Sequence, residues 1–390
     1  MGWVVIATER RRRPKSAQAS VIARVQAAFV VLLLGICCVL PAAAETTTEQ
    51  SASILIFPKV IVDGSRDTVI QISNTNNSMV HAACFYVNAA PICLGAGDCL
   101  AGTCTGSCEP SWAEVDFAVV LTKQQPTHWS ASNGRNPDLF AQPCNFNPPN
   151  YDCDAAGLLS FPGRVPPVNS IPFVGELKCI EVDASGAPVS GNHLKGEATI
   201  ISTDGDASKY NAVGLLGEPF SNNGDNILCL GGGMSDECPT GAEYEGCADD
   251  LILNHFAEGA DSLLFGPTSR VDTELTIVPC REDFEHQLPI PFNVQFLAFN
   301  EFEQQFSTSR QMNCWDSLFL GDIGSIFKLL TAQTRFVETH FRTSNLSNTG
   351  IVAVAEEYHQ LNDQTTRAAF NVAERGTRAT TDLIFLPEGP

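Results

Sequence analysis

Between Cys93 and Cys108 the chain reads CLGAGDCLAGTCTGSC, four cysteines in sixteen residues. Four thiolates could hold a metal, run redox chemistry or close on one another. A four-cysteine zinc site uses a C-x2-C knuckle, so that two thiolates reach one ion from a single turn. Here the gaps are five, four and three residues, and there is no knuckle. The spacings also differ from common iron–sulfur patterns. A reactive thiolate needs a cation beside it. None occurs between Ala89 and Trp112, while Asp98 and Glu109 push thiol pKa values upward. The segment therefore predicts a surface loop closed by two local disulfides among Cys93, Cys99, Cys104 and Cys108, with the connectivity open.

The remaining cysteines read in the same way. Cys144 and Cys153 bracket NFNPPNYD, a turn segment that a disulfide can close. Cys229, Cys238 and Cys247 are evenly spaced in a Gly-rich acidic stretch, with one member left over. Cys280 and Cys314 flank apolar strand patterns and are also expected in disulfides. Cys84 and Cys179 sit inside strand patterns, where they either join two strands or remain buried thiols. Of fifteen cysteines, thirteen follow residue 44, and an odd number leaves at least one without an intramolecular partner.

Other chemistry finds little support. There is no G-x-S-x-G elbow. The seven histidines (81, 128, 193, 255, 286, 340 and 359) are singly placed, with no pair that puts two imidazoles on one ion. Glu356 and Glu357 lie in a strand-like run, so they point to opposite faces and cannot flank one bond. Asp249 and Asp250, beside a cysteine-rich loop, read as solvated. STDGDASK at 202–209 is too short for a calcium loop and reads as turn chemistry. No catalytic, cofactor-binding or metal-ligating residue is assigned, and no cofactor is expected. The candidate ligand contacts are His128, Trp129 and Arg135, in a polar stretch after a strand, since an aromatic ring on a loop can stack on a sugar or a protein; the plainer reading of Trp129 is a ring folded back over the sandwich edge.

Strands must position these residues. Residues 1–44 read as a signal peptide: a basic run from Arg10 to Lys15, an apolar run from Ala27 to Leu40, then Pro41-Ala42-Ala43-Ala44. Their removal takes six basic residues and one acid, moving the net charge from −21 to −26. A chain so acidic repels phosphate backbones, which excludes nucleic acid as a partner. No later stretch is long and apolar enough to span a bilayer as a helix. Period-two alternation appears in DTVIQIS (67–73), WAEVDFAVVLTK (112–123) and FNVQFLAF (292–299). FVGELKCIEVDASGAPVSGNHLKGEATII (173–201) predicts a long hairpin, and 324–331 a short helix.

RVDTELTIVP (270–279) resembles RATTDLIFLP (378–387), which suggests a duplicated unit. The expected fold is all-β, with two immunoglobulin-like antiparallel β-sandwich units at 45–279 and 280–390. The first carries long disulfide-bonded loop insertions. The expected function is a secreted, periplasmic or cell-surface non-catalytic protein with a binding, adhesion or structural role, whose partner is a protein or glycan at the cell surface. The alternative is a secreted hydrolase, carbohydrate-active in type, whose catalytic carboxylates come from different strands.

Overall fold

The structure, a computed structural model, describes residues 48–92, 99–100, 103–104, 109–110, 112–135, 164–218, 224–344 and 349–387. The fold is all-β with disulfides. Five larger sheets carry it. In spatial order, sheet I holds Val213–Leu215, Ile54–Val62, Phe173–Val182, Val80–Asn88 and Ala113–Leu121. Sheet II holds Ala207–Asn211, Leu194–Ser202, Arg66–Asn74 and Pro126–Ser130. Sheet III is small: Ile227–Leu230, Asp382–Phe385 and Glu282–Asp283. Sheet IV holds Gln305–Met312, Phe292–Asn300, Phe336–Thr343, Ala248–Phe256 and Ala373–Arg378. Sheet V holds Asp316–Phe319, Arg270–Pro279, Ile351–Leu361 and Gln364–Asn371.

Alternation predicts which faces are dry. In Arg66–Asn74 it is clean, with Ile70 and Ile72 buried between half-exposed neighbours. Phe292, Val294, Phe296 and Ala298 share the buried face of their strand. Ile54–Val62 is buried at every position, because both faces of central sheet I are covered. Leu55 and Phe57 join a core shared with sheet II, whereas Ile54 and Ile56 join a second core with Leu228 and Ile384 of sheet III and Val278 and Val352 of sheet V. A third core lies between sheets IV and V. Edge strands Ala207–Asn211 and Gln364–Asn371 lie side by side, with Asn371 Nδ2 donating to the Asn211 carbonyl at 2.7 Å.

These contacts arrange the sheets as a propeller-like ring that does not divide clearly into two immunoglobulin-like sandwiches. Two strands placed in the first unit from sequence, Ala248–Phe256 and Arg270–Pro279, pair instead with strands beyond 316. The proposed copies at 270–279 and 378–387 also have different partners. The first lies between sheet V strands, and Asp382–Phe385 lies between strands of sheet III. The predicted hairpin at 173–201 is likewise corrected. Phe173–Val182 pairs with Ile54–Val62 and Val80–Asn88 in sheet I, and Leu194–Ser202 pairs in sheet II. The turn at Asp183–Ala187 forms, with Asp183 N–H donating to the Ala187 carbonyl at 2.8 Å, and the chain then crosses to the other sheet. The expected short helix appears as three brief turns: Leu320–Ile323, Ser325–Phe327 and Leu329–Ala332. Among the described residues no helix is long and apolar enough to cross a membrane.

Phe117 packs on Tyr86 and edge-on to Trp129 within the first core, whereas its neighbour Ala118 is half-buried on the opposite face. Phe117→Ala is expected to cost about 3 kcal/mol in urea unfolding and Ala118→Asp less than about 1 kcal/mol. Equal losses would contradict a sheet with one tightly packed face at this strand.

Candidate functional site

The predicted ligand contacts do not come together. Trp129 is a core residue, 2% exposed, with its indole N–H donating to the Tyr86 hydroxyl at 2.6 Å. It alternates inward from Pro126–Ser130, so the ring is turned into the protein rather than displayed to a ligand. His128, one residue earlier, is exposed beside Gln71, Lys195 and Glu197 on the outer face of sheet II. Arg135 is half-buried and bridges to Val165.

Of the cysteines, Cys229 bonds Cys238 and Cys247 bonds Cys280. The second bond ties the start of one sheet IV strand to the end of a sheet V strand. Cys84 and Cys179 stand directly opposite in neighbouring strands, with Cα atoms 4.1 Å apart, and are bonded. This bond closes a loop of 95 residues, for which chain entropy supplies about 4–5 kcal/mol. Cys314 is a free, buried thiol, so its assignment to a disulfide is corrected, while Cys280 is bonded to Cys247. Cys99 and Cys104 pair in backbone register across a two-stranded ribbon. The side chains of Cys93, Cys99, Cys104, Cys108, Cys144 and Cys153 lie outside the described residues.

Two buried lysines organise charge that the sequence did not reveal. A bulge between Phe57 and Val60 turns Lys59 out of its strand register. Its ammonium donates to Glu274 and Glu356, each at 2.7 Å. Tyr358 donates to both carboxylates, Ser317 to Glu274 and Ser208 to Glu356. Burial works to raise the Glu274 carboxyl, but Lys59 and the hydroxyls outweigh it and hold it at about 2. Lys178, fully buried, donates to Glu282 at 2.7 Å and Glu176 at 2.9 Å, and the Trp112 indole reaches Glu282 at 3.2 Å. Burial pushes Glu176 upward, and Glu282 adds to the rise. Both lysines are fully buried, and their clusters hold sheets I, III and V in register rather than presenting groups to a ligand.

The outer face of sheet IV is different. Its inward residues are apolar: Leu251 and Leu253, Val294 and Phe296, Val337 and Phe341. The alternate residues therefore face out. Cross-strand register aligns them in rows. One row runs Ser309, Gln295, Arg342, Asp250, Arg375; the next runs Ser307, Leu297, His340, Ile252, Ala373. Phe299, Glu338 and Asn254 make a third. An open trough of about 890 Å³ lies over the first two rows. His340 contacts Glu338 at 2.8 Å and also meets the Arg375 guanidinium. Asp250, read from sequence as solvated, is half-buried, and its Oδ1 has no hydrogen-bond partner. Burial raises its carboxyl, against the pull of Arg375, His340 and Arg342.

This face can accept and donate hydrogen bonds over a broad area. Asp250 and Glu338 are separated by four positions along adjacent strands, about 13 Å, beyond the roughly 5–9.5 Å of glycosidase carboxylate pairs. Among the described residues no group of histidine, cysteine and carboxylate side chains could hold a metal ion. Sequence reasoning missed the rows because each comes from strands far apart in the chain. The usable signal was the pair of outward polar residues, Asn293 and Gln295, in FNVQFLAF.

No protein-family model matches this chain, and no curated protein matches it. Among solved structures, "Crystal Structure of Thermotoga maritima 1070" is similar over 33% of this chain and 96% of that one, at 10% sequence identity and a TM-score of 0.24. A likeness that slight carries no argument about fold or function.

Proposed function

We propose that this chain is an exported, non-catalytic binding protein of the cell surface or envelope. Residues 1–44 act as its signal peptide, and the mature chain starts at Glu45. Sheets I and II, and sheets IV and V, are read as two immunoglobulin-like units fused through sheet III, each with its own core. The disulfides support an oxidising compartment. The observation that carries the binding role is the outer face of sheet IV, a trough of polar side chains fixed on a rigid sheet. Rigid elements hold contact groups more accurately than loops do. Exposed His128, on sheet II, and half-buried Arg135 remain candidate contacts. The hydrolase alternative gains nothing from this trough, whose lining holds a single carboxylate, Asp250.

The test is a binding screen of the full mature chain against glycans and cell-surface proteins, repeated with Gln295→Ala and Arg342→Ala. Capture of a ligand that both substitutions weaken is the expected result. Turnover of a glycan, ester or peptide, abolished by one point substitution, would overturn the non-catalytic reading.

A further inference from the structure

The acidic surface makes the first row of sheet IV unusual. The chain carries 44 acidic against 23 basic residues, yet here two guanidiniums flank a single carboxylate. Arg342 and Arg375 lie on the strands either side of Ala248–Phe256, so their backbones stand about 9–10 Å apart across Asp250. Neither guanidinium fork is taken up by Asp250. Arg342 leans weakly on Gln295 at 3.5 Å, and Arg375 meets His340. Both arginines are exposed. Each fork matches the two oxygens of a carboxylate or phosphate.

The rest of the row narrows the class. Asp250 is half-buried between the two arginines, and its carboxylate only accepts hydrogen bonds. Gln295 and Ser309 extend the row with an amide and a hydroxyl, which both donate and accept. Leu297 and Ile252, in the adjacent row, offer apolar surface to the C–H face of a ring. The matching ligand has carboxylates for the forks, hydroxyls for Asp250 and the amide, and an apolar ring face. An acidic peptide lacks the hydroxyls beside its carboxylates. A neutral glycan lacks the carboxylates.

Building on the binding role above, we propose that the Arg342–Asp250–Arg375 row binds a carboxylated sugar of an acidic glycan. A ligand carboxylate pairs with Arg342 or Arg375, and a ring hydroxyl donates to the Asp250 carboxylate.

The experiment is calorimetric titration of the full mature chain with three probes: an oligogalacturonate, its methyl ester and poly-L-glutamate. The free acid is expected to bind at least about tenfold more tightly than either other probe, the loss that follows from a missing charge-assisted hydrogen bond. Arg342→Gln and Arg375→Gln should each weaken the free acid about tenfold. Arg335→Gln, which removes an exposed charge paired with Asp261 elsewhere, should leave binding unchanged. Asp250→Ala should weaken the glycan and leave poly-L-glutamate unaffected. Circular dichroism confirms that each variant is folded. Equal binding of acid and ester, equal binding of poly-L-glutamate, equal loss in Arg335→Gln, or no binding of the free acid at millimolar concentration each overturns the proposal. If a neutral glycan or a protein binds and the Gln295 and Arg342 alanine variants weaken it, the binding role stands and only the acidic-sugar assignment falls. If no ligand responds to substitutions on this face, both fall.

Discussion

Replacing Lys59 by Met is expected to remove about 3–5 kcal/mol of stability, the cost of breaking a buried ion pair from one side. The ammonium is fully buried and touches two carboxylates, with Glu356 1% and Glu274 14% exposed at the side chain. Methionine fills most of the same volume, so packing loss is small. What remains is two carboxylates within reach of the same hydroxyl, that of Tyr358, with no cation between them. Like charges at that spacing cannot both stay ionised, and one must take up a proton or draw in water. Urea unfolding should show a lower midpoint with an unchanged slope. The triple variant Lys59→Met, Glu274→Gln, Glu356→Gln should recover much of the loss, because amides need no counter-charge. A loss under about 1 kcal/mol for Lys59→Met alone would sink this account of how sheet I is locked to sheet V.

The second prediction is that the protein is most stable near pH 4–5 and weakens steadily toward pH 8. Four carboxyls are raised to about 7 or 8 in the folded state. Burial lifts Glu114 to about 8, with Asp116 and Glu282 adding to it. Burial lifts Glu245 to about 7 despite Arg378, and Asp382 to about 7 despite its bond from the Gly350 N–H. Glu176 is raised by burial and by Glu282. A carboxyl raised above its unfolded value keeps its proton in the native state while the unfolded chain has released it. Its contribution is therefore complete below about 4.5 and is lost as pH rises through the folded value.

His255 opposes this, as do the lowered carboxyls Glu274, Glu356, Asp63 and Asp183. Burial holds His255 neutral down to about 4, so its contribution is present above about 6.5 and is lost as pH falls from there. Glu274, held at about 2, loses its contribution only below the ordinary glutamate range. Between pH 4.5 and 6.5 the native state thus retains protons on four carboxyls and lacks one on a single histidine. The carboxyls win, and stability falls with rising pH. A tenfold change in a carboxyl's proton affinity on folding is worth about 1.4 kcal/mol, so the deeply buried Asp382 and Glu176 alone bring the loss to several kcal/mol. Thermal unfolding from pH 3 to 9 measures it. A stability maximum at or above pH 7 would contradict the assigned environments, and Asp382→Asn should flatten the curve between pH 5 and 8.

What could be read from the amino-acid order was local. Alternation identified Arg66–Asn74, Ala113–Leu121 and Phe292–Asn300 as strands and picked out their buried faces, because a strand's two faces follow from its own residues. The cysteine count implied oxidised sulfur, and the strand patterns around Cys84 and Cys179 allowed either a bond between two strands or two buried thiols. Only the register that sets the two residues opposite each other chose the bond. Glu356 and Glu357 do lie on opposite faces: one meets Lys59 and the other His359.

Pairing was decided elsewhere. A turn such as Asp183–Ala187 has the same chemistry whether the chain returns beside itself or crosses to another sheet, so the turn is legible in its residues and the strand pairing beyond it is not. Trp129 follows a strand in a polar stretch, and only the alternation of the strand that contains it turns the ring into the core. Lys59 meets Glu356 across 297 residues. Asp250 gains its flanking arginines only through strand registers that bring in residues more than 90 positions away. The amino-acid order by itself determined strand identity, facing and oxidation, which depend on neighbours in the chain. The tertiary structure alone decided which strands lie side by side, and hence which charges are buried and which side chains share one open face, since those energies arise between residues the chain order keeps apart.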